Sequence, residues 1–147
     1  MTDASATIRG FRTTFVVIGV LYGMAAGSWL VRGPVVLRDF GVPPELIAAP
    51  VFVDFFGFMY EMMAFVGVLI VVFGFVAKDR RTQGVVAVVL CLGNVWFGIH
   101  DLSTSDSQWG NQLYEGEATM VFVIVDAVLA GIFGYFAWRG LAEKDGT

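Results

Sequence analysis

Three carboxylic acids stand inside long apolar stretches of this chain, where an ionised side chain is costly. Asp54 and Glu61 interrupt one stretch, and Asp126 interrupts another. A charged group in hydrocarbon costs at least about 2.5–3.5 kcal/mol. A third stretch holds an asparagine and ends at the one histidine of the chain, which a further aspartate follows. The candidates for ligand or proton binding are therefore Asp54, Glu61, Asn94, His100, Asp101 and Asp126.

Helical spacing predicts that these polar groups share faces. Asp54 and Glu61 are seven residues apart, and so are Asn94 and Asp101, which places each pair on one face of its helix. His100 lies about 100° around the helix from Asp101. Because an acid that faces lipid is heavily penalised, we expect the acids to face one another, a neighbouring subunit or water.

Depth estimates place the intramembrane groups between one membrane surface and the midplane. At about 1.5 Å of rise per residue, Asp54 lies about 6 Å, Asp126 about 12 Å and Glu61 about 16 Å below the surface at which their stretches begin. Asn94 lies about 10 Å deep on the same scale. We therefore expect a polar pocket that opens to the outside, in which Glu61 and Asp126 share one cluster.

Such a pocket is compatible with more than one kind of chemistry. Neighbouring buried acids can share a proton, as in a small transporter or a ligand-binding site. His100, Asp54 and Asp101, with Asp126 as a further ligand, could instead hold a metal through nitrogen and oxygen atoms. A third possibility is that the acids are hydrogen-bonded between helices or meet a partner subunit.

The cofactor of such a site is not specified by the sequence. The methionines leave copper(I) open, since the thioether is a soft ligand. Haem is not expected, because His100 is the one available histidine and stands at the membrane rim. A nucleotide cofactor is not expected either.

Four apolar stretches must position these residues. They cover residues 13–31, 50–77, 84–100 and 118–138, and each is close to the roughly 20 residues that cross a bilayer. Hydrophobic residues make up 57% of the 147 residues and charged residues 15%, against about 25% charged in soluble domains. The sequence thus predicts an all-α, four-transmembrane-helix bundle that forms one domain over residues 1–147.

Composition also excludes several classes of protein. A net charge of −4 excludes a nucleic-acid binder, which needs a basic surface. The lone cysteine, Cys91, excludes a disulfide scaffold and a thiolate zinc site.

The distribution of lysine and arginine predicts the orientation of the bundle. Arg32 and Arg38 flank the first long connector, while seven basic residues flank the other ends of the spans. Cytoplasmic segments carry the excess of basic residues. Both termini are therefore expected in the cytoplasm, on the side of Arg9, Arg12, Lys78, Arg80, Arg81, Arg139 and Lys144.

A stripe of glycines in the first stretch predicts close helix packing. Gly19, Gly23 and Gly27 follow one another at every fourth residue, and glycines at this spacing let another backbone approach closely. Packing inside the bundle is favoured over a face for a second copy of the chain.

Three short segments resemble the BphX-like family of small four-helix bacterial membrane proteins. They are Ile18-Gly-Val-Leu-Tyr22, Val53-Asp-Phe-Phe-Gly57 and Gly98-Ile-His-Asp101, and the resemblance covers residues 15–137. It implies a multi-pass protein of the bacterial plasma membrane and carries over no catalytic residue. The DoxX-like proteins are an alternative family of similar size.

These observations favour an accessory or ligand-binding subunit with an outward-facing polar pocket. Its expected partners are the lipid bilayer and other membrane subunits or further copies of itself, and no nucleic acid. A proton-coupled small transporter or channel, built as an oligomer, is the first alternative. A metal-dependent membrane enzyme is the second.

Overall fold

Helices form nearly all of the computed structural model, which describes residues 7–104 and 117–142. The four long helices are α1 (Phe11–Arg32), α3 (Pro50–Val76), α4 (Arg80–Thr104) and α5 (Glu117–Leu141). A 3-10 helix (Gly33–Phe40) and the short α2 (Pro44–Ile47) connect α1 to α3. No strand occurs in the described ranges.

Each long helix lies in a segment long and apolar enough to cross a membrane. This confirms the predicted all-α architecture with four helices that could span a membrane. These helices indicate a multi-pass membrane protein. Helices α1, α4 and α5 run beyond the predicted spans, most clearly α4, which begins at Arg80 rather than at residue 84, whereas α3 ends one residue before its predicted span does. Most of the long connector after α4 lies outside the described residues.

Helices α1 and α3 form one packed pair through a backbone contact between two glycines. A Cβ atom on Gly67 would lie 2.8 Å from the carbonyl oxygen of Gly19 and 2.9 Å from the Cβ of Tyr22. Towards the start of α1, a Cβ on Gly74 would lie 3.0 Å from the Cβ of Phe15. The contact line on α1 thus runs through Phe15, Gly19 and Tyr22, at alternating intervals of four and three residues.

This contact line explains why the three glycines of the stripe pack unequally against α3. Each step of four residues turns about 40° beyond a full helical turn. Glycines at every fourth residue therefore move progressively around α1, away from the contact line, whose steps alternate between four and three residues. A Cβ on Gly23 or on Gly27 would meet no atom within 4 Å. Gly19 therefore lies in the α1–α3 contact, and the backbone nitrogen of Gly23 lies 3.2 Å from a Cβ built on Gly67, but the Cβ positions of Gly23 and Gly27 themselves point into open space.

Helices α4 and α5 form the second pair, also through two glycines. Gly84 and Gly140 are so close that a Cβ on Gly84 would lie 2.9 Å from the Cα of Gly140. Further along, the Cys91 thiol donates a hydrogen bond to the carbonyl oxygen of Ala130, at 3.3 Å. The buried positions of α4 follow the same alternating spacing, through Gly84, Ala87, Asn94 and Gly98.

Aromatic rings join the two pairs where α1 begins and α5 ends. Phe15 lies with its ring centroid 5.4 Å from that of Phe133, and Phe11 lies 5.5 Å from Phe136, both edge to face. Ile70 of α3 and Ala87 of α4 complete this buried cluster. We call this part of the molecule the basic end, because Arg9, Arg12, Lys78, Arg80, Arg81 and Arg139 flank it.

Polar contacts fix the chain at the basic end. Gln83 is only 3% exposed; its Oε1 accepts a hydrogen bond from the Ile8 amide at 2.7 Å, and its Nε2 donates one to the Ala77 carbonyl at 2.9 Å. Asp79 begins α4 by accepting hydrogen bonds from the amide and hydroxyl of Thr82. These bonds lower the pKa of the Asp79 carboxyl from its ordinary value.

The connector packs against the opposite end of the α1–α3 pair. Val36, Leu37 and Val42 form a buried cluster with Phe56 of α3. Arg32 and Asp39 form an exposed ion pair across the 3-10 helix. This part of the molecule is called the connector end below.

The glycine contact between α1 and α3 generates the first prediction. Gly19→Ala places a methyl group 2.5 Å from the Gly67 carbonyl oxygen and 2.5 Å from a methyl group of Val71. Overpacking of this kind costs about 1–3 kcal/mol, so we expect a clearly lower melting temperature in mild detergent. The matched control is Gly23→Ala, which meets open space and is expected to melt like the wild type. Equal melting of both variants would contradict the contact.

Candidate functional site

Polar side chains meet inside the α4–α5 pair. Asn94 is 7% exposed, and its Nδ2 donates a hydrogen bond to the Leu90 carbonyl of its own helix, at 2.7 Å. Asp126 of α5 packs on α4 at Gly98, where a Cβ would lie 3.4 Å from the Asp126 Cβ. Asn94 lies one turn before Gly98 and Asp101 one turn after it. The glycine therefore allows the carboxyl of Asp126 to enter between two polar turns of α4.

Electrostatic contacts extend this group to the other helix pair. Asp126 interacts electrostatically with Asp101 of α4 and with Tyr22 of α1. The side chains of all three are partly buried. We call Tyr22, Asn94, Asp101 and Asp126 the interior polar group. The sequence predicts that Asn94 and Asp101 share one face of α4. The arrangement is consistent with this, and that face is turned towards α5.

The two acids of α3 lie elsewhere. Asp54 and Glu61 are both exposed, and within the described residues neither makes a hydrogen bond or an ion pair. The face around them is apolar, with Phe58 57% exposed and Phe65 55% exposed. We call this surface the α3 acidic face. It lies outside the bundle because Glu61 follows Tyr60, a contact residue of α3, and is therefore turned by about 100° from the contact line.

The expected cluster of Glu61 with Asp126 is therefore wrong. Asp126 is grouped with Asp101 and Tyr22, whereas Glu61 lies on the exposed surface of α3. The sequence could show that Asp54 and Glu61 share a face, but it could not show which helix that face meets.

The expected metal ligands are not brought together. Asp54 lies on α3, which packs against α1, while His100 and Asp101 lie on α4, which packs against α5. His100 is exposed at the connector end. Across residues 7–104 and 117–142, no three side chains of His, Cys, Asp or Glu gather as a metal site would require.

A cavity at the connector end was not predicted from the sequence. It has a volume of about 370 Å³ and lies between α1, the 3-10 helix, α3 and α5. Among the described residues that line it, the polar side chains are Ser28 and Tyr60, and the Ser28 hydroxyl already donates to the Ala25 carbonyl at 2.6 Å. The cavity is thus apolar, unlike the expected polar pocket. Its lining residues are Ala25, Ser28, Phe40, Phe56, Met59, Tyr60, Met63 and Phe122.

The position of this cavity depends on long-range packing that has no local signal. Phe40 of the connector meets Phe122 of α5, with ring centroids 5.5 Å apart. Trp29 stacks on Tyr60, with centroids 4.9 Å apart, and so holds one wall in place. Neither contact follows from spacing along the sequence.

The geometry of the interior polar group generates the second prediction. In a Cys91→Ser background, the pair Gly98→Cys and Asp126→Cys has a Cβ separation near the roughly 3.5–4.5 Å of disulfides. We expect rapid disulfide formation on oxidation in membranes, detected by the loss of free thiols. The matched control is Glu61→Cys with Asp126→Cys, which we expect to stay reduced. A disulfide in the control pair alone would restore the cluster of Glu61 with Asp126.

Comparison with protein-family models, with curated proteins and with solved structures returns no match. The resemblance to the BphX-like family stays a prediction, and the function has to be argued from the chain's own residues.

Proposed function

We propose that this protein is an accessory subunit of a membrane complex and contacts its partner subunit through the α3 acidic face. The observation that carries the proposal is the exposure of both Asp54 and Glu61 on a helix apolar enough to cross a membrane. Lipid cannot satisfy these carboxylates, whereas another protein can.

The energetic argument concerns both carboxylates at once. Glu61, near the midplane, would cost at least about 2.5 kcal/mol if it faced hydrocarbon as an ion. Asp54, closer to the membrane surface, would cost less, and neither acid has a hydrogen-bonding partner in the described part of the chain. Phe58 and Phe65 are exposed beside them. A neighbouring helix that brings hydrogen-bond donors would satisfy the acids and cover the apolar side chains together.

Charge favours a different protein over a second copy on the same face. Two copies meeting through their α3 acidic faces would bring four carboxylates together, and like charges at close range disfavour ionisation. A partner helix with lysine, arginine or an amide side chain at matching depth complements the face directly. The accessory role follows from this, since the chain supplies the acids and the partner supplies their counterparts.

The proposed setting is the bacterial plasma membrane, with both termini in the cytoplasm. The excess of arginine and lysine at the basic end supports this orientation, because cytoplasmic segments carry such an excess. The connector end, with Arg32 paired to Asp39, would then face outward.

A proton-coupled transporter is the second candidate function. It is supported by the interior polar group, in which Asp126 interacts electrostatically with Asp101 and with Tyr22. Acids inside a membrane bundle are typical of proton relays. The apolar cavity at the connector end would be the place for a neutral substrate.

The partner contact is tested by photo-crosslinking in intact membranes. Benzoylphenylalanine in place of Phe58 is expected to give a discrete adduct with another membrane protein. The matched control places benzoylphenylalanine at Phe97, which is similarly exposed, at 60%, but lies on α4 and not on the α3 acidic face. Adding Glu61→Leu should reduce the adduct at position 58 by about tenfold or more, which corresponds to about 1.4 kcal/mol. Lipid adducts alone at both positions would contradict the proposal.

The transporter alternative is tested in liposomes. Under an imposed pH gradient, the purified chain should move protons, and Asp126→Asn should abolish that flux if the interior polar group is the relay. Asp54→Asn, which changes an acid outside the group, is the control and should retain the flux. Wild-type liposomes that hold the gradient as well as empty ones would exclude this candidate.

A further inference from the structure

A second cavity lies at the basic end and has the opposite character from the first. Its volume is about 420 Å³, within the roughly 300–1,000 Å³ of small-molecule sites. It is a half-open cavity bordered by the segment that leads into α1, by the first turn of α1, by the last turn of α3 and by the start of α4, and the side chains of Arg9, Arg12 and Lys78 are exposed at its mouth. Its basic lining residues are Arg9, Arg12 and Lys78, and none of the described residues that line it is acidic.

The walls of this basic cavity are fixed by a buried side chain. Gln83 lines the cavity and bonds to the Ile8 amide on one wall and to the Ala77 carbonyl on another. These two bonds hold the segment before α1 against the turn between α3 and α4. The cavity is therefore already formed before a ligand enters it.

The positive charge of the cavity is not neutralised by the described chain. Arg9, Arg12 and Lys78 make no ion pair with any residue of the ranges 7–104 and 117–142. Arg12 instead lies over the ring of Phe75, with its guanidinium carbon 4.0 Å from the ring centroid. This cation–π contact orients the guanidinium and leaves its charge in place. The cavity thus selects an anion.

The remaining lining identifies the source of that anion. Ile8, Gly74, Phe75 and Ala77 give the cavity an apolar side next to its basic side. It also lies at the ends of two membrane-spanning helices, where the phosphates of the lipids lie. Basic pockets of this kind between transmembrane helices bind anionic lipid headgroups. A free phosphate ion would use the basic side alone.

We propose that the basic cavity binds the phosphodiester headgroup of an anionic phospholipid. The phosphate lies among Arg9, Arg12 and Lys78, and the glycerol and the start of the acyl chains contact Phe75 and Ile8. The lipid would stay bound to the protein as a structural lipid. Its binding does not depend on the partner subunit proposed above.

The experiment uses the full chain in mild detergent, with native mass spectrometry and thermal melting as readouts. Phosphatidylglycerol is expected to stay bound at one molecule per chain and to raise the melting temperature. Phosphatidylcholine, which carries the same phosphodiester with a cancelling positive charge, should do neither. Inorganic phosphate at millimolar concentration separates the two sources of phosphate and should leave the melting temperature unchanged.

Two double variants with the same change in net charge locate the site. Arg9→Gln with Lys78→Gln removes two cations from the cavity and should weaken phosphatidylglycerol binding at least tenfold. Arg38→Gln with Arg81→Gln removes two exposed cations that do not line it and should bind like the wild type. Arg12 is left intact in both because it packs on Phe75.

Three results would overturn the proposal. Stabilisation by inorganic phosphate equal to that by phosphatidylglycerol would make this a site for a soluble anion. Equal loss of binding in the two double variants would assign the effect to diffuse surface charge. Equal binding of phosphatidylcholine and phosphatidylglycerol would show that the three cations do not select the headgroup.

Discussion

Two contacts between helix backbones, with no side chain between them, set the arrangement of everything else in this protein. Gly19 meets Gly67, and Gly84 meets Gly140. Helices in a membrane have no hydrophobic force to bring them together, so close packing at small residues carries much of their association. Once each contact is made, the alternating steps of three and four residues decide which side chains of both helices face each other.

The division of the polar residues follows from these two contacts. Extending the line from Gly84 along α4 brings Asn94 and Gly98 inside the pair, and Gly98 in turn admits Asp126. Extending the line from Gly67 along α3 passes beside Glu61 and leaves it outside. Acids that look equivalent in the sequence thus have different surroundings, since Asp126 is partly buried between helices and Glu61 is exposed on α3.

Much of the fold could be predicted from the sequence, because length and hydropathy are enough to define four spans. The common face of Asp54 with Glu61 also follows from spacing alone. The pairing of helices could not be predicted, since the helices are apolar on nearly every side and their hydropathy identifies no inner face. The error over Glu61 has this origin. Both cavities were missed for a related reason, since their walls come from segments far apart in the chain.

The bond between Gln83 and the Ile8 amide has a consequence for biogenesis. The two residues are 75 positions apart, so Ile8 can be anchored only after the first turn of α4, the third long helix, has been synthesised. At about 5–20 residues per second, this leaves an interval on the order of ten seconds. During that interval, the Ile8 amide lacks the partner that it has in the folded protein. The anchoring of the segment before α1 is therefore a late event, timed by the synthesis of the first turn of α4.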